Sequence, residues 1–288
     1  MKFLIIGDLH GNKPEMYFKD FDAIIAPGDF CSDAPRRYMF QALREKLANQ
    51  NSNVKWYNLV GKKQATAMIK KSVTDGRAIL AFLNTFNVPV YAVPGNWEWT
   101  TKDKKFPPLN KDYWPILIKG LKNIIDCHHR LIHAGDYDFI GHGIISGPEY
   151  PQTKEDLQSY TKKELTAKKK VFTKDSTLLT SLFKKAKKPV IFLSHNVPYN
   201  TPIDQIVNPE SPRDGQHFGS VIARNMIEKH QPLVCIGGHM HEHFTSCTLG
   251  KTVAINAGFG SFVNVLLTVE GNKITDLQFY QGKADHTH

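Results

Sequence analysis

The chain has 288 residues, and its 37 lysines and arginines against 27 aspartates and glutamates give a formal net charge of +10. Hydrophobic residues make up 41% of the chain and charged residues 22%, which is typical of a folded protein and excludes wholesale disorder. No apolar run approaches the roughly 20 residues that a membrane span requires, so we expect no membrane partner.

The four cysteines form no closely spaced pair. This usage favours reduced thiols, and we therefore expect a cytoplasmic location. The basic surplus is concentrated in lysine pairs and triplets between residues 162 and 188. Such a segment is typical of a solvated helical face, and it is also compatible with a patch that attracts nucleic acid.

Short apolar runs that each end in a polar turn recur along the chain. Nearly continuous apolar runs predict strands that are buried on both faces, as in an α/β sheet with helices outside it. A helical pattern at residues 75–86 favours crossover connections between parallel strands. The predicted strands occupy residues 2–6, 23–26, 88–93, 190–193 and 233–236.

The remaining segments complete a predicted single domain over residues 1–288. Hairpins are expected at residues 130–140 and 262–280, because alternating strands flank turn residues in both. Two segments look like insertions, namely residues 32–74 and the lysine-rich residues 147–188, and the latter is compatible with two helices.

The polar turns supply seven candidate metal ligands. In an α/β sheet, side chains that follow the carboxyl ends of parallel strands gather at one edge. Carboxylates, imidazoles and an amide oxygen are ligands for divalent transition metals. In Asp8-x-His10 and His239-x-His241, the spacing of two places both side chains on the same side of an extended backbone. The candidates are Asp8, His10, Asp29, Asn96, His195, His239 and His241.

These motifs together resemble those of the calcineurin-like metallophosphoesterase superfamily. The resemblance covers residues 8–241 and rests on Asp8-x-His10, Gly28-Asp29, Gly95-Asn96-x-Glu98, His195 and Gly238-His239-x-His241. It implies an α/β fold of the metallo-dependent phosphatase type, a four-layer α-β-β-α sandwich with two divalent ions, Mn, Fe, Ni, Co or Zn. By the resemblance, Asp8, His10, Asp29 and His241 hold one ion, and Asp29, Asn96, His195 and His239 hold the other.

The implied activity is dimetal-dependent phosphoester hydrolysis, in which a hydroxide bridging the ions attacks phosphorus and Asn96 helps to orient the phosphate. One departure from the family pattern bears on this activity, because Trp97 stands where a histidine usually donates a proton to the leaving group. The loss of a general acid typically costs about 10²–10⁴-fold and matters least for activated esters. We therefore expect phosphodiesters or activated phosphate esters as substrates.

Three further residues are candidates for substrate contact or proton transfer. Trp97 is predicted either to pack under an insertion or to stack on a base or aromatic ester. Arg213 is a candidate phosphate contact, and His217, in the same polar loop, is a candidate replacement for the missing proton donor.

Two alternatives to a hydrolase of small-molecule or nucleotide phosphoesters stay open at this point. The net charge favours a nuclease that uses the same site, and Trp97 favours a metal-binding scaffold with weak or no catalysis. The complete ligand set argues against the scaffold. The physiological substrate and the oligomeric state do not follow from the sequence.

Overall fold

The computed structural model describes residues 1–49, 51–100, 106, 111–211 and 213–283. Twelve strands in this part of the chain form two six-stranded sheets. The first sheet has the order β12-β11-β1-β2-β3-β4, and its four strands β1 to β4 are mutually parallel. Its strands are β1 (Lys2–Ile5), β2 (Ala23–Ala26), β3 (Val90–Ala92), β4 (Ile124–Asp126), β11 (Val263–Glu270) and β12 (Lys273–Gln281).

The second sheet has the order β5-β6-β7-β8-β10-β9. Its central strands β6, β7, β8 and β10 run parallel, and the two edge strands are antiparallel to their neighbours. Its strands are β5 (Leu131–Ala134), β6 (Tyr137–His142), β7 (Val190–Asn196), β8 (Val234–Gly238), β9 (Thr245–Leu249) and β10 (Thr252–Asn256).

Helices cover the outer face of each sheet. Those on the first sheet are α1 (Arg36–Ala48), α2 (Trp56–Val60), α3 (Lys62–Asn84) and α4 (Trp114–Ile118). The second sheet is covered by α6 (Lys162–Lys185) and α7 (Val221–His230), and the short α5 (Lys154–Gln158) precedes α6. No helix within the described ranges is long and apolar enough to cross a lipid bilayer.

Strand periodicity explains the layers. In β1, Leu4 packs towards the helices, whereas Phe3 and Ile5 pack between the two sheets. In that inter-sheet layer the rings of Tyr91 and Phe139 stack at a centroid distance of 3.7 Å, joining β3 to β6. Because both faces of each sheet are covered, the parallel strands are mostly apolar. This arrangement confirms the predicted four-layer α-β-β-α sandwich.

Among the boundaries that differ from the sequence prediction are those of α3 and β7. The helix expected at residues 75–86 begins at Lys62, because buried positions such as Ala65 and Ile69 continue its apolar face upstream through a lysine- and threonine-rich stretch. Residues 32–74 therefore contain α1, α2 and the first half of α3. The strand β7 also extends to Asn196, so His195 lies within it rather than after it. Both predicted hairpins are present, as β5–β6 and β11–β12.

Candidate metal centre

All seven candidate ligands lie at the carboxyl ends of strands. Asp8 and His10 follow β1, Asp29 follows β2 and Asn96 follows β3, all in the first sheet. The histidines of the second sheet lie near the end of β7 and after β8. Six of the seven candidate ligands fall into two groups, and within each group the ligand atoms lie within 4.8 Å of one another. One group is Asp8, His10 and His241, and the other is Asp29, His195 and His239.

Each group combines side chains from both sheets, and Asp29 connects the two groups. His241 Nε2 lies 3.2 Å from Asp8 Oδ2. Asp29 Oδ2 lies 3.5 Å from His10 Nε2 in the first group and 3.5 Å from His195 Nε2 in its own. Asn96 Oδ1 joins the second group at 2.9 Å from His195 Nε2. The structure thus brings the seven predicted residues into one centre.

The donor atoms of this centre fit a pair of cations. Asp8 Oδ1, Asp29 Oδ2 and both ring nitrogens of His10 are buried and have no hydrogen-bond partner among the described residues. A buried polar atom without a partner costs about 1–3 kcal/mol, and native proteins keep few of them. Metal coordination satisfies such atoms. Carboxylate oxygens and imidazole nitrogens at these separations suit divalent transition metals.

The backbone at the centre is strained at three of the ligands. His10, Asp29 and His239 have φ values of 46°, 57° and 68°, in the left-handed region that non-glycine residues rarely adopt. Such residues cost about 1–3 kcal/mol each and concentrate at functional sites. In β7, the register with β8 shifts between Leu193 and Asn196, so His195 lies at an irregularity of the strand pairing, a feature that is common next to functional sites.

Two glycines allow the ligands to approach one another. A Cβ atom on Gly95 would meet the carboxylate of Asp29, and it would lie 2.7 Å from His195 Cε1. A Cβ atom on Gly238 would overlap the carboxylate of Asp8. Any larger residue at either position therefore displaces a candidate ligand.

Glu98 organises the loops that carry Asp29 and Asn96. Its buried carboxylate accepts hydrogen bonds from the backbone N–H groups of Asp29 (3.0 Å), Phe30 (2.8 Å), Cys31 (3.1 Å) and Gly95. Burial and the nearby charge of Asp29 raise the pKa of Glu98 to about 7, although the backbone donors favour its ionised form. Sequence analysis assigned no role to this residue, and the structure places its carboxylate between the loop that carries Asp29 and the loop that carries Asn96.

The charges of the candidate ligands shift one another's pKa values. Burial alone would raise the pKa of Asp29, but the charges of His195, His10 and His239 hold it well below its usual range. Burial opposes protonation of His195, yet Asp29 raises the pKa of that imidazole to about 9. Burial lowers the pKa of His10. The centre therefore favours an ionised Asp29, as a metal ligand requires.

Trp97 is part of the packing around the centre. Its backbone N–H donates to Asp29 Oδ1 at 2.8 Å, so the residue still positions a ligand. Its side chain is 8% exposed and makes edge-to-face contacts with the rings of His10 (6.1 Å) and Trp99 (5.9 Å). This position fits the packing interpretation of Trp97 better than a stacking platform for substrate.

A cleft of about 620 Å³ adjoins the centre at Asn96. Arg213, the candidate phosphate contact, lines it, with its guanidinium 3.0 Å from Asp156 Oδ1 and over the ring of Phe218 at 5.3 Å. The other lining residues come from β6, the loop that follows it, the connection between α5 and α6, and α6 itself: His142, Ile144, Ile145, Ser146, Gly147, Pro148, Glu149, Pro151, Tyr160, Ala167, Lys168, Val171 and Asp175.

His217, the predicted proton donor, does not line this cleft. Its Nδ1 lies 2.7 Å from Asp204 Oδ1, and the same carboxylate accepts backbone N–H groups from Asn200, Thr201 and Gly219. Asp204 thus holds the His217 ring against the backbone of the same loop. The structure gives this histidine a partner within its own loop and no contact with the seven ligands.

His142 is a residue of the site that sequence analysis missed. It is the last residue of β6, pairs in register with Ser194, and lines the cleft together with Asn96. Its ring lies between His129 (Nε2 to Nδ1, 3.1 Å) and Glu149 (Oε1 to Nε2, 3.2 Å). The signal in the sequence is slight, because the apolar run of β6 also ends in a Gly-His dipeptide, but this run is predicted as one strand of a hairpin.

Comparison with known proteins agrees with this geometry. The sequence model of the family described as calcineurin-like phosphoesterase matches residues 1–243, most of the chain. The chain belongs to this family. Metal-dependent phosphoester hydrolysis is the activity of the family, and its members use a dinuclear metal site.

Solved structures share the fold at low sequence identity. The protein TT1561 of Thermus thermophilus is 14% identical, with a TM-score of 0.51 over 97% of this chain and 98% of its own. The phosphopantetheinyl hydrolase of Mycobacterium tuberculosis is 12% identical, with a TM-score of 0.53 over 90% of this chain and 89% of its own. None of the curated proteins compared with the chain matches it.

Proposed function

We propose that this protein is a dimetal phosphoester hydrolase that favours phosphodiesters or activated phosphate esters. The observation that carries the proposal is the pair of adjacent ligand groups that Asp29 connects, with Asp8, His10 and His241 on one side and Asp29, His195, His239 and Asn96 on the other. We further propose a small-molecule or nucleotide phosphoester as substrate and a cytoplasmic location.

The residues of the centre have distinct tasks in this proposal. Asp8 and Asp29 supply negative charge, and the histidines complete the coordination. Two divalent ions, when bound, would supply the positive charge that attracts phosphate and would lower the pKa of water towards neutrality. Asn96 belongs both to the centre and to the cleft, which supports the proposal that its amide orients a phosphate entering from the cleft.

Trp97 supports the preference for diesters and activated esters. An indole cannot take the part of an imidazole acid, and this ring is packed against His10 rather than directed into the cleft. Without a proton donor, a leaving group must depart as an anion, which penalises alkoxides by about 10²–10⁴-fold relative to a protonated route. Aryl diesters escape most of that penalty, because their leaving groups are stable anions.

The test combines turnover with metal analysis. Asp29→Asn and His239→Ala are expected to abolish Mn²⁺-dependent hydrolysis of a chromogenic aryl phosphodiester, because each removes a ligand. Each variant should also bind fewer ions per chain than the unaltered protein. A turnover panel with Mn²⁺, Ni²⁺, Fe²⁺ and Zn²⁺, each added separately, identifies the metals that support activity.

His243→Ala is the matched control. His243 lies two residues beyond His241, but its Nε2 contacts the backbone oxygen of Gln205 at 2.6 Å and it belongs to neither ligand group. The control should retain both activity and metal content. Full turnover in both Asp29→Asn and His239→Ala would refute the proposal. A protein that binds two ions without hydrolysing any ester would be the scaffold alternative.

A further inference from the structure

The cleft beside the centre has one wall that belongs to α6. Lys168, Val171 and Asp175 follow one another at helical spacing, and all three line the cleft. Asn96 also lines it, so the cleft is continuous with the proposed metal centre. Its volume of about 620 Å³ lies in the range of small-molecule sites, about 300–1,000 Å³.

The charge of the cleft differs from the charge of the whole chain. Two basic side chains, Lys168 and Arg213, face three acidic ones, Glu149, Asp156 and Asp175. Arg213 is paired with Asp156 at 3.0 Å. The chain carries a formal charge of +10, but the cleft contributes none of that surplus. A polyanion therefore gains no net attraction inside the cleft.

Apolar side chains supply the remaining contact surface. Val171 is 45% exposed and Tyr160 is 37% exposed, although both are apolar or aromatic. They line the same cleft as Ile144, Ile145 and Phe218. The ammonium of Lys168 lies 4.6 Å from the centroid of the Tyr160 ring, which holds that ring by a cation–π contact. An apolar ring bound here would remove this exposed surface from water.

We propose that the cleft binds the non-reacting ester arm of a small phosphodiester, and that this arm is uncharged and carries a ring, as a nucleoside does. The inference rests on the proposed function, because it places the reacting phosphate at Asn96. The cleft is expected to favour a small diester over a nucleic-acid strand, because further phosphates on the arm would be repelled by the carboxylates of Glu149 and Asp175.

Three chromogenic diesters with the same leaving group test the arm. They are methyl p-nitrophenyl phosphate, thymidine 5′-(p-nitrophenyl phosphate) and the 3′-phosphorylated form of the thymidine ester. With Mn²⁺-loaded protein, the thymidine arm should lower KM about tenfold relative to the methyl arm, about 1.4 kcal/mol. The added 3′-phosphate should bring no further decrease in KM. A 3′-phosphate that lowers KM about tenfold overturns the inference in favour of a nucleic-acid substrate.

The variant Val171→Asp tests the wall directly. It should raise KM for the thymidine ester about tenfold and leave kcat/KM for the methyl ester within about twofold, because the methyl arm does not reach the wall. Leu43→Asp is the control, since Leu43 is 50% exposed on α1 in the opposite outer layer. Equal effects of Val171→Asp on both esters, or no effect on either, overturn the inference.

A binding measurement separates this inference from the proposed function. If none of the three esters is hydrolysed, the proposed function fails, and the cleft is then tested by calorimetric titration with thymidine 5′-monophosphate. The Kd should be about tenfold weaker for Val171→Asp than for the unaltered protein and for Leu43→Asp. Equal Kd values in all three proteins overturn the inference whatever the outcome of the turnover assay.

Discussion

The substitution Gly95→Ala tests how tightly the centre is assembled. A Cβ atom at this position would lie 2.5 Å from the backbone nitrogen of Asp29 and 2.7 Å from His195 Cε1, besides overlapping the Asp29 carboxylate. Real Cβ atoms essentially never come closer than 3.0 Å to such neighbours. The loop of Asp29 must therefore move by about 0.5 Å, and His195 by about 0.3 Å, to admit one methyl group.

These displacements set the expected magnitudes. Overpacking a tight site by a methyl group costs about 1–3 kcal/mol, and the obstacles here include backbone, which yields less easily than a flexible side chain. For a chain of this size that corresponds to a decrease in Tm of about 2–4 °C per kcal/mol. Catalytic groups must keep their places to within about 0.5 Å, so turnover should fall by about 10–100-fold, more than the loss of stability explains.

The assay measures Tm, metal content and hydrolysis of an aryl phosphodiester with the same protein preparations. Gly271→Ala is the control, because Gly271 lies in the β11–β12 turn with a φ of 57° and has open space around its Cβ position. It should lose about 1 kcal/mol from backbone strain and keep full activity. If Gly95→Ala is as active as Gly271→Ala and binds as much metal, then the activity and the metal binding of the centre do not depend on the close packing of its ligands, and the reasoning is refuted.

Two further predictions concern stability and leaving groups. Burial would raise the pKa of Asp138, but hydrogen bonds from His133, Lys187 and Lys188 lower it, so its contribution to stability is present above about pH 4 and is lost in stronger acid. Asp138→Asn should therefore lose about 1–3 kcal/mol in urea unfolding at pH 7, and an equal loss at pH 2 would contradict this. Trp97→His should raise kcat/KM for alkyl relative to aryl phosphodiesters by about tenfold or more, because it restores an imidazole proton donor. An unchanged ratio within the same preparation would show that the position does not serve the leaving group.

The ligand set was predictable from sequence for a simple physical reason. Each ligand follows, or nearly follows, an apolar run, and parallel strands bring their carboxyl ends to one edge whatever the chain length between them. Asp8 follows a strand of the first sheet and His241 follows a strand of the second, so their contact depends on the packing of the two sheets, which the resemblance to the family implied. The apolar runs predicted an α/β sheet covered on both faces, whereas the four-layer α-β-β-α arrangement followed from the resemblance to the family.

The surroundings of the centre were not predictable in the same way. Glu98 looks like an ordinary acidic residue after a turn, and only its contacts with four backbone N–H groups reveal its task. His142 ends a strand that the sequence presents as half of a hairpin. The cleft is made from distant segments and from α6, whose lysines obscure Val171. Pairing of His217 with Asp204 depends on loop conformation, which periodicity does not encode.

The mixed composition of the two ligand groups has a mechanical consequence. Asp8 and His10 belong to one sheet and His241 to the other, and the same division separates Asp29 from His195 and His239. A cation bound by such a group would link the two sheets to each other. The resistance of the interface between the two sheets to mechanical unfolding or proteolysis would then depend on how much metal is bound.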